Sequence, residues 1–320
     1  MPNKTSETTI KRATLGDVLI APGHRACAGC GQMIAAIAAS RAMGPDVIIA
    51  NATGCLEVTT TPYPESAWKV PWIHSLFENP AAVASGIRAA LDFKEKHTPS
   101  AQGGHPSPER NKIKVIVQGG DGSTFDIGFG LISGMWERGE NILYICYDTE
   151  VYSNTGVQAS GATPPGASTT TTPAGIKSIG STQRKKDMLA IALAHGVKYI
   201  AQSTAGYPLD ITAKVKKGIE TQGPAYIQIM SPCIPGFGIK TSDAMQVGKL
   251  AVQTGLYPLL EYVDGQLTSV SKIQTPVKVE EYLKIQARFK HLFGSEKGGK
   301  EIEYIQSLAD KNIEKYGLKI

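Results

Sequence analysis

Four cysteines and two acidic turns are the residues through which this chain could do chemistry. Cys27 and Cys30 form a C-x2-C pair, Cys55 stands in Gly54-Cys55-Leu56-Glu57, and Cys233 ends Ser231-Pro232-Cys233. Thiolates are soft ligands, and four of them suit Zn2+ or a [4Fe–4S] cluster. The spacing leaves three readings open. An iron–sulfur cluster tolerates dispersed ligands. A structural zinc usually gathers two close pairs, and only one is present. Unconnected cysteines, with Cys27 and Cys30 as a redox pair, leave Cys55 and Cys233 unexplained. Cys146 lies inside an apolar run and reads as a core residue.

The first acidic turn is Gly119-Gly120-Asp121-Gly122-Ser123, which follows the apolar run Val115-Ile116-Val117 and precedes a helical stretch. Glycines let backbone approach a phosphate, and a helix N-terminus offers N–H donors. A diphosphate also needs a cation, and Asp121 is placed to hold Mg2+, a hard ion that prefers oxygen. The bland alternative is a turn with a helix cap. The second turn, Asp148-Thr149-Glu150-Val151-Tyr152-Ser153-Asn154-Thr155-Gly156, follows the next apolar run. There a threonine hydroxyl and a backbone carbonyl would complete an oxygen set without adding charge. Between Gly122 and Asp148 lie 25 residues. This arrangement resembles the thiamine-diphosphate motif, with Asp148-Thr149 standing where the general motif has an Asn-Asn pair.

Short apolar runs must position these turns. Val47 to Ala50, Val115 to Val117, Ile142 to Tyr147 and Ala225 to Met230, with a weaker run at Val197 to Ala201, read as strands buried on both faces. Helices are expected over Gly31 to Met43, Pro80 to Glu95, Ile127 to Glu137, Lys186 to His195 and Pro208 to Glu220. The alternation predicts an α/β fold, a mostly parallel sheet flanked by helices, with ligands at the carboxyl ends of the strands. Residues 1–14 read as an N-terminal arm, 15–243 as the main domain, and 244–320 as a C-terminal arm that packs on partner subunits or on the sheet domain. His97 to Asn111 is expected as an exposed connection. Gly156 to Gly180 reads as a functional loop, because so long a loop is uncommon inside a compact domain.

Composition removes other classes. In 320 residues, 42% hydrophobic and 19% charged, there is material for a core and too little charge for disorder. The net charge of +5 is spread along the chain, where a nucleic-acid binder would show a stripe. No apolar run approaches the ~20 residues of a membrane helix, and the first ten residues lack a secretory apolar core. Five cysteines do not make a disulfide scaffold, so a reducing cytoplasm is expected. The cluster Arg184-Lys185-Lys186 reads as a solvated helix start, with contact to an acidic protein or a ligand phosphate as the functional alternative. His74 reads equally as a cleft-lining group or a packing histidine.

Taken together, Cys27-Ala28-Gly29-Cys30-Gly31, Gly54-Cys55-Leu56-Glu57, Trp68-Lys69-Val70-Pro71-Trp72-Ile73-His74, Gly120-Asp121-Gly122, the stretch Asp148 to Gly156 and Ser231-Pro232-Cys233 resemble the β subunit of pyruvate:ferredoxin oxidoreductase, a 2-oxoacid:ferredoxin oxidoreductase. The likeness covers roughly residues 15–245. It implies a thiamine-diphosphate domain of the pyrophosphate type and a [4Fe–4S] cluster on Cys27, Cys30, Cys55 and Cys233. It implies Mg2+ on Asp121, Thr149 and Val151. Cofactor contacts would fall on Gln32, Cys55, Gly120, Asp121, Gly122, Ser123, Thr149, Val151 and Asn154, the last also facing substrate. Gln32 stands where some members carry Glu, so the charge there differs. The implied reaction is reversible oxidative decarboxylation of a 2-oxoacid, pyruvate favoured, to acyl-CoA and CO2, with single electrons passing through the cluster to ferredoxin. Implied partners are an α subunit, with γ and δ subunits as further candidates. The glutamate that activates the cofactor is expected on another subunit. The rivals are the same chemistry on 2-oxoglutarate, a branched or aryl 2-oxoacid or oxalate, and a zinc-stapled scaffold without catalysis.

Overall fold

The computed structural model describes residues 16–97 and 113–320. The expected N-terminal arm, and all but the first residue of the connection at 97–111, lie outside them. Eight strands form one sheet: β1 (Val47–Asn51), β2 (Trp72–His74), β3 (Lys114–Gly120), β4 (Ile142–Asp148), β5 (Tyr199–Thr204), β6 (Ala225–Met230), β7 (Leu260–Val263) and β8 (Gln266–Val270). Their order is β2-β1-β3-β4-β6-β5-β7-β8. The first six strands run parallel, and β7 and β8 extend the β5 edge antiparallel.

Period-two alternation inside continuous apolar runs explains why both faces of the central strands are covered. Ile116, Leu143, Ile145 and Ile227 point to one face, where helices α1 (Gly31–Met43) and α6 (Pro208–Glu220) pack. Val115, Val117, Ile142, Tyr144 and Tyr226 point to the other, beneath α3 (Pro80–His97), α4 (Phe129–Glu137) and α5 (Met188–Ala194). The alanines of α1 (Ala35, Ala36, Ala38, Ala39) are buried. Their small side chains let α6 come close enough for Thr212 Oγ1 to donate to the Ala38 carbonyl at 2.9 Å. Gly44, at φ 68°, ends α1 with a positive φ that glycine tolerates.

Residues 244–320 fold back on the same chain. After the short helices α2 (Cys55–Thr60) and α7 (Ile234–Phe237) of the preceding part, they form α8 (Ala244–Gln253), the β7–β8 hairpin, α9 (Val279–Lys284), a 3-10 turn over Ala287–Leu292 and α10 (Glu296–Lys315). A third apolar cluster joins them to the rest: Val247, Leu283, Phe289 and Ile305 pack with Met230, Phe237 and Ala167.

The chain direction splits beside β1. Its next strand, β2, lies on one side and β3 on the other. Such a switch point opens a crevice outside the carboxyl ends of the two flanking strands. The acidic turn after β3 emerges there, and the one after β4 lies beside it.

Candidate cofactor site

The crevice is lined by Gln32 from α1, by Asn51 to Leu56 after β1, by Phe77, by Gly119 to Gly122 after β3, and by Thr149 and Val151 to Thr155 after β4. Of the residues implied as cofactor contacts, Gln32, Cys55, Gly120, Asp121, Gly122, Thr149, Val151 and Asn154 are all in this lining. Ser123 is not: it is fully buried behind it. Gly122 opens a single π-helical turn, Gly122–Ile127, a form that recurs at functional sites. A Cβ on Gly122 would lie 2.3 Å from Cε1 of Tyr152, so only glycine fits beneath that ring. Tyr152 is fixed by donating to Asp126 Oδ2 at 2.8 Å and by an edge contact with Phe77.

Asp121 is the centre of the arrangement. β3 and β4 pair with Gly120 opposite Tyr147, which puts Asp121 beside the end of β4. Its Oδ1 accepts from the Thr149 amide at 3.0 Å and from Thr149 Oγ1 at 2.8 Å, and Thr149 Oγ1 lies 3.0 Å from the Val151 carbonyl oxygen. Ser160 Oγ donates to Asp121 Oδ2 at 2.5 Å. Asp121 is 1% exposed, and among the described residues no cation pairs with it. Burial first, and then the charge of Asp148, push its carboxyl up to about 7, against the pull of the Ser160 and Thr149 hydrogen bonds. A buried carboxylate without a counter-charge is costly. A carboxylate, a hydroxyl and a carbonyl oxygen within about 3 Å of one another are the hard donors a Mg2+ ion takes. The residues therefore fit the cation. Asn51 Oδ1, buried on the lining with no hydrogen-bond partner, is a further free acceptor.

The charges next to Asp121 are balanced. Lys185 Nζ contacts Asp148 Oδ2 at 2.5 Å and Glu150 Oε1 at 2.8 Å, and Arg288 Nη2 contacts Glu150 Oε2 at 2.6 Å. These are two acids and two bases, of which Lys185 is half-buried and the other three are buried. The Lys185-containing cluster is thus not a solvated helix start at its middle residue, whose partners lie far along the chain.

The four cysteines gather on the α1 side of the crevice. Gly31 N donates to the Pro232 carbonyl at 3.2 Å, and a Cβ on Gly31 would lie 2.6 Å from Pro232 backbone, so Cys30 and Cys233 sit on two touching segments. Burial pushes the Cys30 thiol up, with Cys233 and Cys27 adding to it. The Cys55 thiol is pushed up to about 12 by burial, against a hydrogen bond from Asn154, with Cys233, Cys30 and Cys27 raising it further. Cys233 is likewise raised by burial, against a hydrogen bond with Ser153. The thiols feel one another, yet among the described residues no three His, Cys, Asp or Glu side chains stand close enough to grip an ion as placed. All four are free of disulfides. Four thiols, one exposed at Cys27 and three half-buried or buried, that repel one another once ionised suit a cationic guest that removes their protons. Ser153 and Asn154 connect the two halves, since Ser153 Oγ also donates to Thr149 Oγ1 at 2.8 Å.

His74 does not line the crevice. It reaches it through Thr53, whose Oγ1 is 2.7 Å from His74 Nε2, with Glu57 3.9 Å from Nδ1. Ser160, Phe77 and Asn51 were not singled out by the sequence. Ser160 sits in the loop 156–180 that the sequence marked as functional, but a lone serine carries no spacing signal.

A family model for the C-terminal TPP-binding domain of thiamine pyrophosphate enzymes matches residues 52–229. A pyruvate synthase subunit PorB of Methanosarcina barkeri is 49% identical over 300 residues, covering 94% of this chain and 97% of that one. This chain belongs to the thiamine-diphosphate-binding β subunits of the 2-oxoacid:ferredoxin oxidoreductases. A second relative in the family, a ketoisovalerate oxidoreductase subunit VorB of Pyrococcus abyssi, is 38% identical over 272 residues, or 84% of this chain and 85% of that one. Among solved structures, a 2-oxoglutarate:ferredoxin oxidoreductase from Magnetococcus marinus aligns with a TM-score of 0.54 at 23% identity over 77% of this chain and 84% of that one, a likeness of fold. Family membership makes the chain a subunit of an oxidoreductase and removes the reading as a non-catalytic scaffold. Among the described residues no helix is long and apolar enough to cross a membrane.

Proposed function

We propose that this chain is the β subunit of a pyruvate:ferredoxin oxidoreductase that holds thiamine diphosphate through Mg2+ in the crevice and a [4Fe–4S] cluster on Cys27, Cys30, Cys55 and Cys233. The observation that carries it is the buried, unpaired Asp121 carboxylate facing Thr149 Oγ1 and the Val151 carbonyl at the switch point. Relatives named pyruvate synthase subunits support the substrate. The bound coenzyme supplies a nucleophilic carbon and an electron sink for decarboxylation, and the cluster takes up electrons singly.

The chain's own residues have separate tasks. Asp121, Thr149 and Val151 hold the cation. Gly120 and Gly122 keep the floor low enough for a diphosphate, and Gln32 and Cys55 border the coenzyme from the α1 side. Asn154, hydrogen-bonded to Cys55 and exposed on the crevice lining, is the catalytic candidate because it matches a position that faces substrate in the family. Exposed Val58, Tyr63, Ile73 and Leu76 lie on the elements around Cys55 and β2, consistent with an α subunit that covers this side and brings the activating glutamate. Coenzyme A as acyl acceptor, ferredoxin as electron acceptor and a cytoplasmic location complete the reading.

The VorB relative favours one second reading, the same chemistry on a branched 2-oxoacid. Both are tested on the assembled complex purified without oxygen. About four irons with labile sulfide per β subunit, bound thiamine diphosphate, and CoA-dependent reduction of a low-potential dye fastest with pyruvate are expected. Zinc in place of iron, or a preference for 2-oxoisovalerate, overturns the cluster or the substrate respectively.

A further inference from the structure

Glu150 lies between Thr149 and Val151 and yet is absent from the crevice lining. Its backbone is left-handed, at φ 57°, a region a residue of this kind rarely adopts unless its surroundings impose it. Every polar atom of Glu150 is engaged. Its amide donates to Asp148 Oδ1 at 3.1 Å, and its carbonyl accepts from Thr163 Oγ1 at 2.7 Å. Oε1 accepts from Lys185 at 2.8 Å and Oε2 from Arg288 Nη2 at 2.6 Å. Arg288 comes from the C-terminal segment. It lies 3.4 Å over the Phe237 ring, its Nε donates to Gln286 Oε1 at 2.9 Å, and its carbonyl accepts from the Ser168 amide. The side chain that kinks the turn is therefore gripped from the far end of the sequence.

We propose that Glu150, clamped by Lys185 and Arg288, is a positioning residue for the cation site, and that the C-terminal segment thereby sets the Mg2+ affinity of a site it does not touch. The left-handed kink brings the Val151 carbonyl back to within 3.0 Å of Thr149 Oγ1, on the side of Asp121. Without the grip on its carboxylate, the turn relaxes toward negative φ and the two oxygens part. This rests on the reading of the crevice as a Mg2+–diphosphate site.

The test uses the assembled complex freed of Mg2+ by a chelator, then titrated with Mg2+ at fixed thiamine diphosphate, coenzyme binding being followed by near-ultraviolet circular dichroism. Loss of an outer partner of a metal ligand costs about 10- to 100-fold in metal affinity. A rise of that size in the Mg2+ midpoint is expected for Arg288→Met and Glu150→Ala. Arg288→Lys restores the charge and much of the affinity. Glu150→Asn cannot reach both bases but is at home in the left-handed region, so it shifts the midpoint less than Glu150→Ala. If the network only secures the C-terminal segment, the melting temperature of the metal-free complex falls in all four variants while their Mg2+ midpoints stay at the wild-type value, and the proposal is overturned. Equal shifts for Glu150→Asn and Glu150→Ala overturn it as well. Should Arg288→Met fail to assemble, the Asn and Ala pair decides. A wild-type complex that binds thiamine diphosphate without any Mg2+ dependence would instead remove the cofactor reading itself.

Discussion

Strand β3 begins and ends on a buried charge, and the two are treated differently. Lys114, at its start, is 5% exposed and donates to Asn141 Oδ1 and the Thr221 carbonyl, the latter at 2.7 Å. Burial, with a smaller push from Arg88, lowers its ammonium to about 8. Asp121, just past the strand's end, is as deeply buried, but two of its hydrogen bonds come from Thr149, which lines the open crevice. The first charge is stitched into a closed joint between strands. The second is left without a counter-ion where a ligand can supply one. The same desolvation that is a structural cost at one end is a binding device at the other.

The sharpest way to break this contrast is to neutralise each end. Asp121→Ala should abolish retention of thiamine diphosphate in the purified complex, measured by release and quantitation of the coenzyme, because the diphosphate loses its metal anchor. Coenzyme at normal occupancy would refute the role given to Asp121. Lys114→Met, by contrast, should leave coenzyme content intact and destabilise the fold by about 1–3 kcal/mol, as expected when buried acceptors lose their donor. Chemical denaturation measures it.

Cys55→Ala tests whether the rim holds a second guest. The iron content and the reduced-state electron spin resonance signal should fall to background while Mg2+-dependent coenzyme binding drops less. An unaltered signal removes Cys55 from the ligand set. Gly122→Ala is gentler: its Cβ must displace Tyr152, so the coenzyme dissociation constant should rise about tenfold, equivalent to 1.4 kcal/mol. A normal constant would mean that the ring can yield.

The smallest effect is a pH dependence at the closed end. Because the folded pKa of Lys114 lies below its ordinary 10.5, the unfolded chain holds that proton more tightly between about pH 8 and 10.5. Stability from this group therefore rises with pH through that window and is lost as pH falls through 8. The difference in unfolding free energy between wild type and Lys114→Met, followed across the window, should grow with pH. A flat difference would show that Lys114 is less buried than it stands here.

Much of the central sheet was readable, because β3, β4 and β6 are continuous apolar runs that admit one interpretation. The helices α1 and α6 matched at both ends, helped by Gly44 and by Pro208 at the first helical position. Three parts were not readable, each for a physical reason. β2 is a three-residue edge strand, exposed at Ile73, and too short for any periodicity. β8 is exposed almost throughout, so the hairpin at 260–270 looks polar in sequence and was merged into an arm. At the site, Asp121, Thr149 and Cys55 announced themselves by their turns. Ser160 and Arg288 did not, since what makes them matter is partners 39 and 138 residues away. Lys185 was misread because a run of basic residues looks solvated until a buried pair of acids is found beside it.

The spacing between the halves of the crevice is not set by its loops. Gly120 and Tyr147 are rungs of one ladder of peptide hydrogen bonds, so the gap between Asp121 and Thr149, just past the two strand ends, is set by the single repeat of roughly 4.8 Å between neighbouring strands. Substitutions in the surrounding helices can tilt or loosen this ruler but cannot rescale it. Only a slip in register between β3 and β4 would do so, and the buried hydrogen bond that Gln118 Nε2 donates to Tyr147 Oη at 3.2 Å holds the two strands against one.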